Sequence, residues 1–521
     1  MKTFFMSGRI MSFSLHERLK VTWIRRFQCC LAFGLLFFLS GCAWMYFRSG
    51  GEPPPEPVRY ALAEWPFEEY WTGVVFNGAK IGFTHLSLGP AEDNEGQFDI
   101  RSEAVLHFHF LMFDKKVNFR CFDRVANDLT LRHFVYDYDL DGNKLKLIGS
   151  LTNGTLEVEI KSRGETRTET VVVEGKLYPA SIIGLYPVLH GMELGRKYEY
   201  LVYYGETQSL SKVTQQILAF EESDLFTGKA FKTKTELLGQ KVTTWIDLQG
   251  RPQFEISHGG YFISGLKTEK EAKKYLAEAM INKEDILLDY SLIKTESQIP
   301  QPEEVTSMEV ALSGIDPEFT LPSDGMQQCG RQDSKIICRI SAPELDQTSW
   351  TGGENPPVDQ RYLLPSQTVT SENELIQQTA AEITAEVADP LGRIRLLMEW
   401  LRQNIEQEPV DVFNALDVLT RKKAECQGHT YLFAAFARSL NIPTRVVNGI
   451  VYAEDYGGFL YHTWAECLLN GRWIAVDPTL GQLPADGTHI KLVEGETSLD
   501  LMPLANLVGR LQVQIISVKT F

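Results

Sequence analysis

The sequence predicts a multidomain chain: an N-terminal all-β region, sandwich or open barrel, followed by an α+β domain. Three observations predict it. Between Trp71 and Leu248, short strand-like stretches alternate with Asn-Gly and Asp-Gly turn signals. Between Ser371 and Leu440, apolar residues recur at helical spacing. From Thr444 to Asp477 the strand pattern returns around a further Asn-Gly turn. The expected divisions are 1–41, an export signal; 42–59, an anchor and Pro-rich spacer; 60–270, the all-β domain; 271–365, a helix and smaller β segment; and 366–521, the α+β domain.

The N-terminal segment comes first. Arg25-Arg26 precede an apolar run from Cys29 to Phe47, the pattern of a secretory signal. Leu39-Ser40-Gly41-Cys42 resembles the lipobox of bacterial lipoproteins, in which the Cys, here Cys42, receives the lipid. A retained signal anchor is the alternative, because the run is long enough to cross a bilayer and stays apolar past Cys42. Either reading puts the body outside the cytoplasm, membrane-anchored and facing the periplasm or the cell exterior. Residues 48–59 (RSGGEPPPEPVR) then read as a stiff spacer.

Charge excludes one class of partner. Residues 1–41 carry six basic residues and one acidic residue, so the chain's net −17 leaves −22 on the remainder. Such a body repels phosphate, and nucleic acid is not expected as a partner. No phosphate-binding loop, dinucleotide fingerprint or zinc-finger spacing is found, and no cofactor is expected.

In the β region, Asn77-Gly78, Asp141-Gly142-Asn143 and Asn153-Gly154 mark hairpins. Ser181 to His190 reads as a short helical interruption. His107 and His109 share one strand face, read as solvated rather than metal-binding. Segment 268–280 is a charged helix. Strands return over 302–342, where Cys329 and Cys338 flank a turn and are expected to form a disulfide in an oxidising compartment.

The helical stretch opens with Ser371 and Glu374 as a capping box, followed by the stripe Ile376, Ala380, Ile383 and Val387. Asp389-Pro390 restarts the chain into a second stripe, and Asn414 to Leu419 is a third, short helix. The fourth begins near Cys426 and is apolar nearly all round to Leu440, hence buried. A thiol at a helix start is placed for activation by the helix dipole.

The hairpin after it places a base. A two-residue turn at Asn470-Gly471 pairs Leu469 with Arg472 and fixes the register. Trp464 then faces Asp477 and His462 faces Thr479, which makes His462 and Asp477 diagonal neighbours on one face. Cys467 falls on the other, apolar face and reads as a packing residue. Glu466 shares the His462 face and reads as solvated.

Cys426 at a helix start, Tyr461-His462-Thr463-Trp464-Ala465-Glu466 and Trp473-Ile474-Ala475-Val476-Asp477-Pro478-Thr479 together resemble the transglutaminase-like superfamily. Residues 440–447 resemble its usual linker, and 485–492 resemble a bacterial membrane-anchored subgroup. In that subgroup a Gly-Asp often precedes the Cys; here it is Ala424-Glu425. The resemblance implies a papain-like arrangement with Cys426, His462 and Asp477 as a catalytic triad. It implies a cysteine hydrolase acting on peptide, isopeptide or amide bonds, with protein or peptide substrates in the cell envelope. A cross-linking transamidase with the same triad, and a non-catalytic envelope binding or assembly lipoprotein, remain as alternatives. Trp464, Trp473 and His429 are the candidates for lining the cleft. Zinc on Cys426, His429 and His462 is not expected, since the natural fourth ligand, Cys467, points the other way.

Overall fold

The computed structural model describes residues 46–520 except 111–112, 141, 163–164, 346–357, 409 and 411. The expected export signal and Cys42 lie outside the described residues. Among those described, no helix is long and apolar enough to cross a membrane.

The β region is one curled sheet. Its path starts at Leu177–Pro179 and runs strand to neighbouring strand through Lys197–Tyr204 to Phe262–Lys267. It continues from Glu69–Phe76 through each following strand to Glu165–Val172. The two halves join where Phe262–Lys267 pairs antiparallel with Glu69–Phe76. Curling is shown by shared cores. Leu86, Ile100 and Val125 from one half pack with Tyr178, Val202 and Val213 from the other. Leu177, at one end of the path, packs with Phe134, Leu147 and Ile160 near the opposite end. Of the two expected forms the molecule takes the open barrel, because a long, twisted sheet buries its inner face by bending on itself. The predicted turns hold: Asn77 and Gly78, like Asn153 and Gly154, have the positive φ of tight hairpins.

The predicted interruption is real, ending in helix α1 (Tyr186–His190). Helix α2 (Glu269–Ile281) starts on a Thr268–Glu271 capping box. It packs on the barrel, where Lys80 pairs with Glu278 at 2.6 Å. Here one expectation is corrected. His107 is buried, not solvated, because α2 covers its strand face and its Nδ1 lies 3.3 Å from the Ala279 carbonyl. The side chain of His109 is outside the described set. A short helix α3 (Ile286–Ser291) leads away from the barrel.

Strands Val305–Ser313, Gln327–Gln332 and Lys335–Ser341 form a separate sheet, with Cys329 opposite Cys338 and disulfide-bonded. Its fourth strand is Gln512–Thr520, from the far side of the α+β segment. One hydrophobic core joins Val310, Cys338 and Ile340 to Ile450, Phe459, Ile490 and Val513. The segments separated in sequence at 365/366 therefore share a core.

The α+β segment has helices α4 (Glu374–Ile383), α5 (Pro390–Asn404), α6 (Ala415–Arg421) and α7 (Cys426–Ser439). The predicted Ser371 cap is corrected: α4 starts two residues later on Asn373, whose side chain accepts from the Leu375 amide. Asp389 and Asn414 cap α5 and α6. Helix α7 is enclosed by α4–α6 on one side and by the sheet of Thr444–Ala453, Gly458–Leu469 and Arg472–Val476 on the other. That enclosure is why it reads apolar all round.

Candidate active site

Three local features fix the start of α7. Glu425 takes the N-cap position with extended backbone. Gly428, on the first turn, packs so closely that an added Cβ would lie 2.6 Å from the Ala424 side chain and 2.8 Å from that of Val412. Thr430 donates to the Thr463 carbonyl at 3.0 Å, which ties the helix to the strand beside His462. Cys426 is half-buried at the helix start.

The hairpin keeps the expected register from Leu469↔Arg472 to Ala465↔Val476. It stops one pair short of Trp464 and Asp477, because Asp477 instead bridges Gln482, with both backbone bonds at 3.0 Å. The chain turns there, and the Asp477 carboxylate swings under His462. His462 Nε2 donates to Asp477 Oδ2 at 2.6 Å, and the Cys426 thiol lies near enough to the ring to raise its pKa. With Nε2 used, Nδ1 is the nitrogen left for sulfur. Asp477 is fully buried, and its Oδ1 accepts from the Thr479 and Leu480 amides at 2.8 and 2.9 Å. The structure thus brings together the three residues singled out from the sequence.

Electrostatics follow the contacts. Burial pushes His462 down, but the Asp477 carboxylate, the bond to it and the nearby Cys426 thiol raise it well above the usual imidazole range. Burial pushes Asp477 up, yet the charge and hydrogen bonds of His462 and His489 hold it far below the usual carboxylate range.

Of the three cleft candidates, Trp464 and His429 are buried beside the site and Trp473 stands apart from it. Trp464 is 1% exposed; it backs the site, its ring edge-on to His489 at 5.1 Å. His429 is buried, its Nδ1 donating to the Glu425 carbonyl at 3.0 Å, and burial lowers its pKa. Trp473 is further off, with the Arg445 guanidinium 4.2 Å from its ring centroid and Tyr362 packed edge-on. Cys467 is buried in the core under α7, and burial pushes its thiol up to about 12. Glu466 is not solvated: it is 3% exposed, paired with Arg445 and Lys491, which also hold Asp324. A sheet face in the expected register is covered here by the 305–341 segment, which the hairpin pattern does not reveal.

The sequence reading missed His489. Its Nε2 lies 3.0 Å from Asp477 Oδ2, and its Nδ1 faces Asp486 Oδ1 at 3.1 Å. The spacing Asp486-x-x-His489 beside the strand Ile490–Glu494 was the available signal. His462, Asp477 and His489 present ligating atoms within 4.8 Å of one another, the size of a metal cluster. The two imidazoles share one carboxylate oxygen, and that hydrogen bonding accounts for the closeness.

Next to the site, a cavity of about 320 Å³ separates the barrel from the α+β segment. Gln427, the neighbour of Cys426, lines it, with Phe413 and Tyr431 facing Phe119, Tyr138 and Arg167 of the barrel. Phe413 also packs against the barrel core.

Comparison with known proteins adds the lineage. The sequence model of the transglutaminase-like superfamily matches residues 377–478. Mouse kyphoscoliosis peptidase (Mus musculus) is 28% identical over 131 residues, covering 22% of this chain and 20% of that protein. The Homo sapiens kyphoscoliosis peptidase is 27% identical over 121 residues, 20% of this chain and 18% of that one. The chain therefore spans about a fifth of the length of these curated relatives. Among solved structures, the periplasmic domain of TgpA from Pseudomonas aeruginosa overlays on 37% of this chain and 88% of its own, at 16% identity and TM-score 0.24. A β-barrel-like protein from Brucella abortus overlays on 38% of this chain and 94% of its own, at 10% identity and TM-score 0.28. Residues 377–478, which run from α4 to just past Asp477, form a domain of the transglutaminase-like superfamily.

Proposed function

We propose that this protein is an extracytoplasmic cysteine hydrolase, acting on peptide, isopeptide or amide bonds of envelope proteins or wall peptides. Cys426 is the nucleophile, His462 the general base and acid, and Asp477 the group that orients His462. One observation carries this reading: His462 stands between the Cys426 thiol and a buried carboxylate bonded to it at 2.6 Å. A base within hydrogen-bond reach of a nucleophile, itself held by a third group, is the arrangement acyl transfer needs.

The chemistry follows. The Cys426 sulfur attacks the carbonyl carbon as its proton passes to His462 Nδ1. The oxyanion forms beside the Cys426 backbone N–H, which at the helix start points outward. Collapse breaks the C–N bond, and His462 returns the proton to the departing amine. A thioester remains on Cys426. Water, deprotonated by His462, then releases the acid and regenerates the thiol. Asp477 keeps Nε2 protonated throughout, so Nδ1 is the nitrogen that exchanges the proton.

The location rests on the apolar run with Cys42 and on the 329–338 disulfide, a bond that persists in oxidising compartments. The proposed anchor is a lipid on Cys42 or a single N-terminal helix. The cavity beside Gln427 supports a substrate approach walled on one side by the barrel.

The test uses the full chain, a mixture of envelope proteins and wall peptides, and a fluorescent primary amine. Hydrolysis is expected to release new amino groups without incorporating the amine. Cys426→Ala should abolish the release, and Asp477→Asn should lower kcat/KM by roughly 10³–10⁴-fold. Amine incorporation that depends on Cys426 would replace hydrolysis with transamidation. Release that persists undiminished in Cys426→Ala would sink the catalytic reading.

A further inference from the structure

The second histidine on Asp477 has no part in the mechanism above, yet its surroundings are built with care. His489 is 3% exposed. Every polar atom it meets is an acceptor: Asp477 Oδ2 at Nε2, and Asp486 Oδ1 and the Asp486 carbonyl at Nδ1. Neither carboxylate has a proton to give. Asp477 Oδ1 already accepts two backbone amides. Asp486 Oδ1 accepts the Thr488 amide and hydroxyl at 2.8 and 2.6 Å, and its Oδ2 accepts from Gln482. Both ring nitrogens must therefore carry hydrogen, so His489 sits as an imidazolium. Its pKa agrees: burial lowers it, but the bonds and charges of Asp477 and Asp486 raise it to about 9.

We propose that His489 is a positioning residue that holds a fixed positive charge behind Asp477 and so sets the basicity of His462. This rests on the reading of Cys426, His462 and Asp477 as the triad. The His462 and His489 rings are 6.1 Å apart and share one oxygen. A lone buried carboxylate would hold the His462 proton too firmly to return it to a leaving amine. A second cation on the same oxygen offsets part of that pull. It also pins Oδ2 against rotation, with the Trp464 ring packed against both imidazoles. The charged groups facing His489 are Asp477, Asp486 and, across Asp477, His462. His429, on the first turn of α7, faces His462 and Asp477 in turn and is held low by burial. Lys491, two residues on, is engaged with Asp324 and Glu466.

The test needs no substrate. The His462 ring is followed by NMR through a pH titration of the full chain, assigned with His462→Gln, in wild type, His489→Gln and Asp486→Asn. His489→Gln removes the charge and keeps a donor; the His462 pKa is expected to rise by about one unit. Asp486→Asn leaves the ring in place but weakens its hold on the proton, and a smaller rise is expected. It also serves if His489→Gln does not fold. An unmoved or lowered His462 in the folded variants overturns the proposal, since a purely structural role would not raise it. In parallel, Cys426 alkylation by iodoacetamide is measured against pH in wild type and His462→Ala. Alkylation indifferent to His462 would defeat the triad reading. Alkylation that depends on His462, with no shift in His489→Gln, would defeat only the role of His489.

Discussion

At Asp477 a single buried oxygen serves two imidazoles, and this makes folding stability depend on pH from both sides. Asp477 has a lowered folded pKa, so its contribution is present above the unfolded carboxylate value, about 4, and is lost only as pH falls below it. His489 has a raised one. Its contribution is complete below the unfolded imidazole value, about 6.5, and is lost as pH rises through about 9. The sign for His462 is the same as for His489. Maximal stability is therefore expected between about pH 4 and 6.5. Urea denaturation should show a loss of stability between pH 6.5 and 9.5, of which His489 accounts for about 3 kcal/mol, so that the loss is reduced in His489→Gln. A flat profile in wild type would contradict the imidazolium assignment. At this scale the sequence was legible where neighbours are set by a turn: Leu469↔Arg472 fixes where His462 and Asp477 lie. His489 was not legible, because its partner lies twelve residues back across a chain reversal at Asp477–Gln482.

The elements around the site are held by caps and close approaches more than by propensity. Helix α6 has seven residues, too short to persist alone, and begins on Asn414, whose buried side chain accepts from the Asp417 amide at 2.9 Å. Asn414→Ala should cost about 1–2 kcal/mol in urea denaturation, with the barrel's far-UV signature unchanged. A change within a few tenths of a kcal/mol would show that packing on α7 suffices without the cap. The start of α7 is governed by contact as well. Gly428 leaves room for Val412 and Val418, and Gly449, opposite His462, lets the Ile490 carbonyl and the Trp464 ring approach. Helix positions could be read from apolar spacing, because one stripe faces one core. The first helix began two residues later than expected because Asn373, not Ser371, supplies the cap. Both residue types cap well, and local sequence does not choose between them.

Across the whole molecule, the segment before the transglutaminase-like domain is part of its support. Asp324, in the turn before Gln327–Gln332, binds both Arg445 and Lys491, which are buried against Glu466 under the site. Arg445 also reaches Glu494, and Glu494 reaches Arg361. Removing one member of such a buried network leaves its partners charged and unpaired. Arg445→Met should destabilise the protein by about 3–5 kcal/mol and lower the yield of the 305–341 sheet together with that of the transglutaminase-like domain. Measured by hydrogen exchange, both regions should open as one unit, since they share a core completed by Gln512–Thr520. Independent opening would separate them.

The family resemblance joined Cys426 to the pair, while the sequence by itself determined the class of each region, the hairpin turns, the opposed cysteines and the nearness of His462 to Asp477. These follow from periodicity and from turns only a few residues long, where the chain's own geometry limits the choices. Only the tertiary structure decided that the β region bends into an open barrel, that α2 buries His107, that Glu466 lies in an ionic core, and that His489 shares Asp477. Each of these depends on which distant surface covers a face. Alternation along a strand fixes that a residue faces one way, but not whether water, a helix or another sheet stands there.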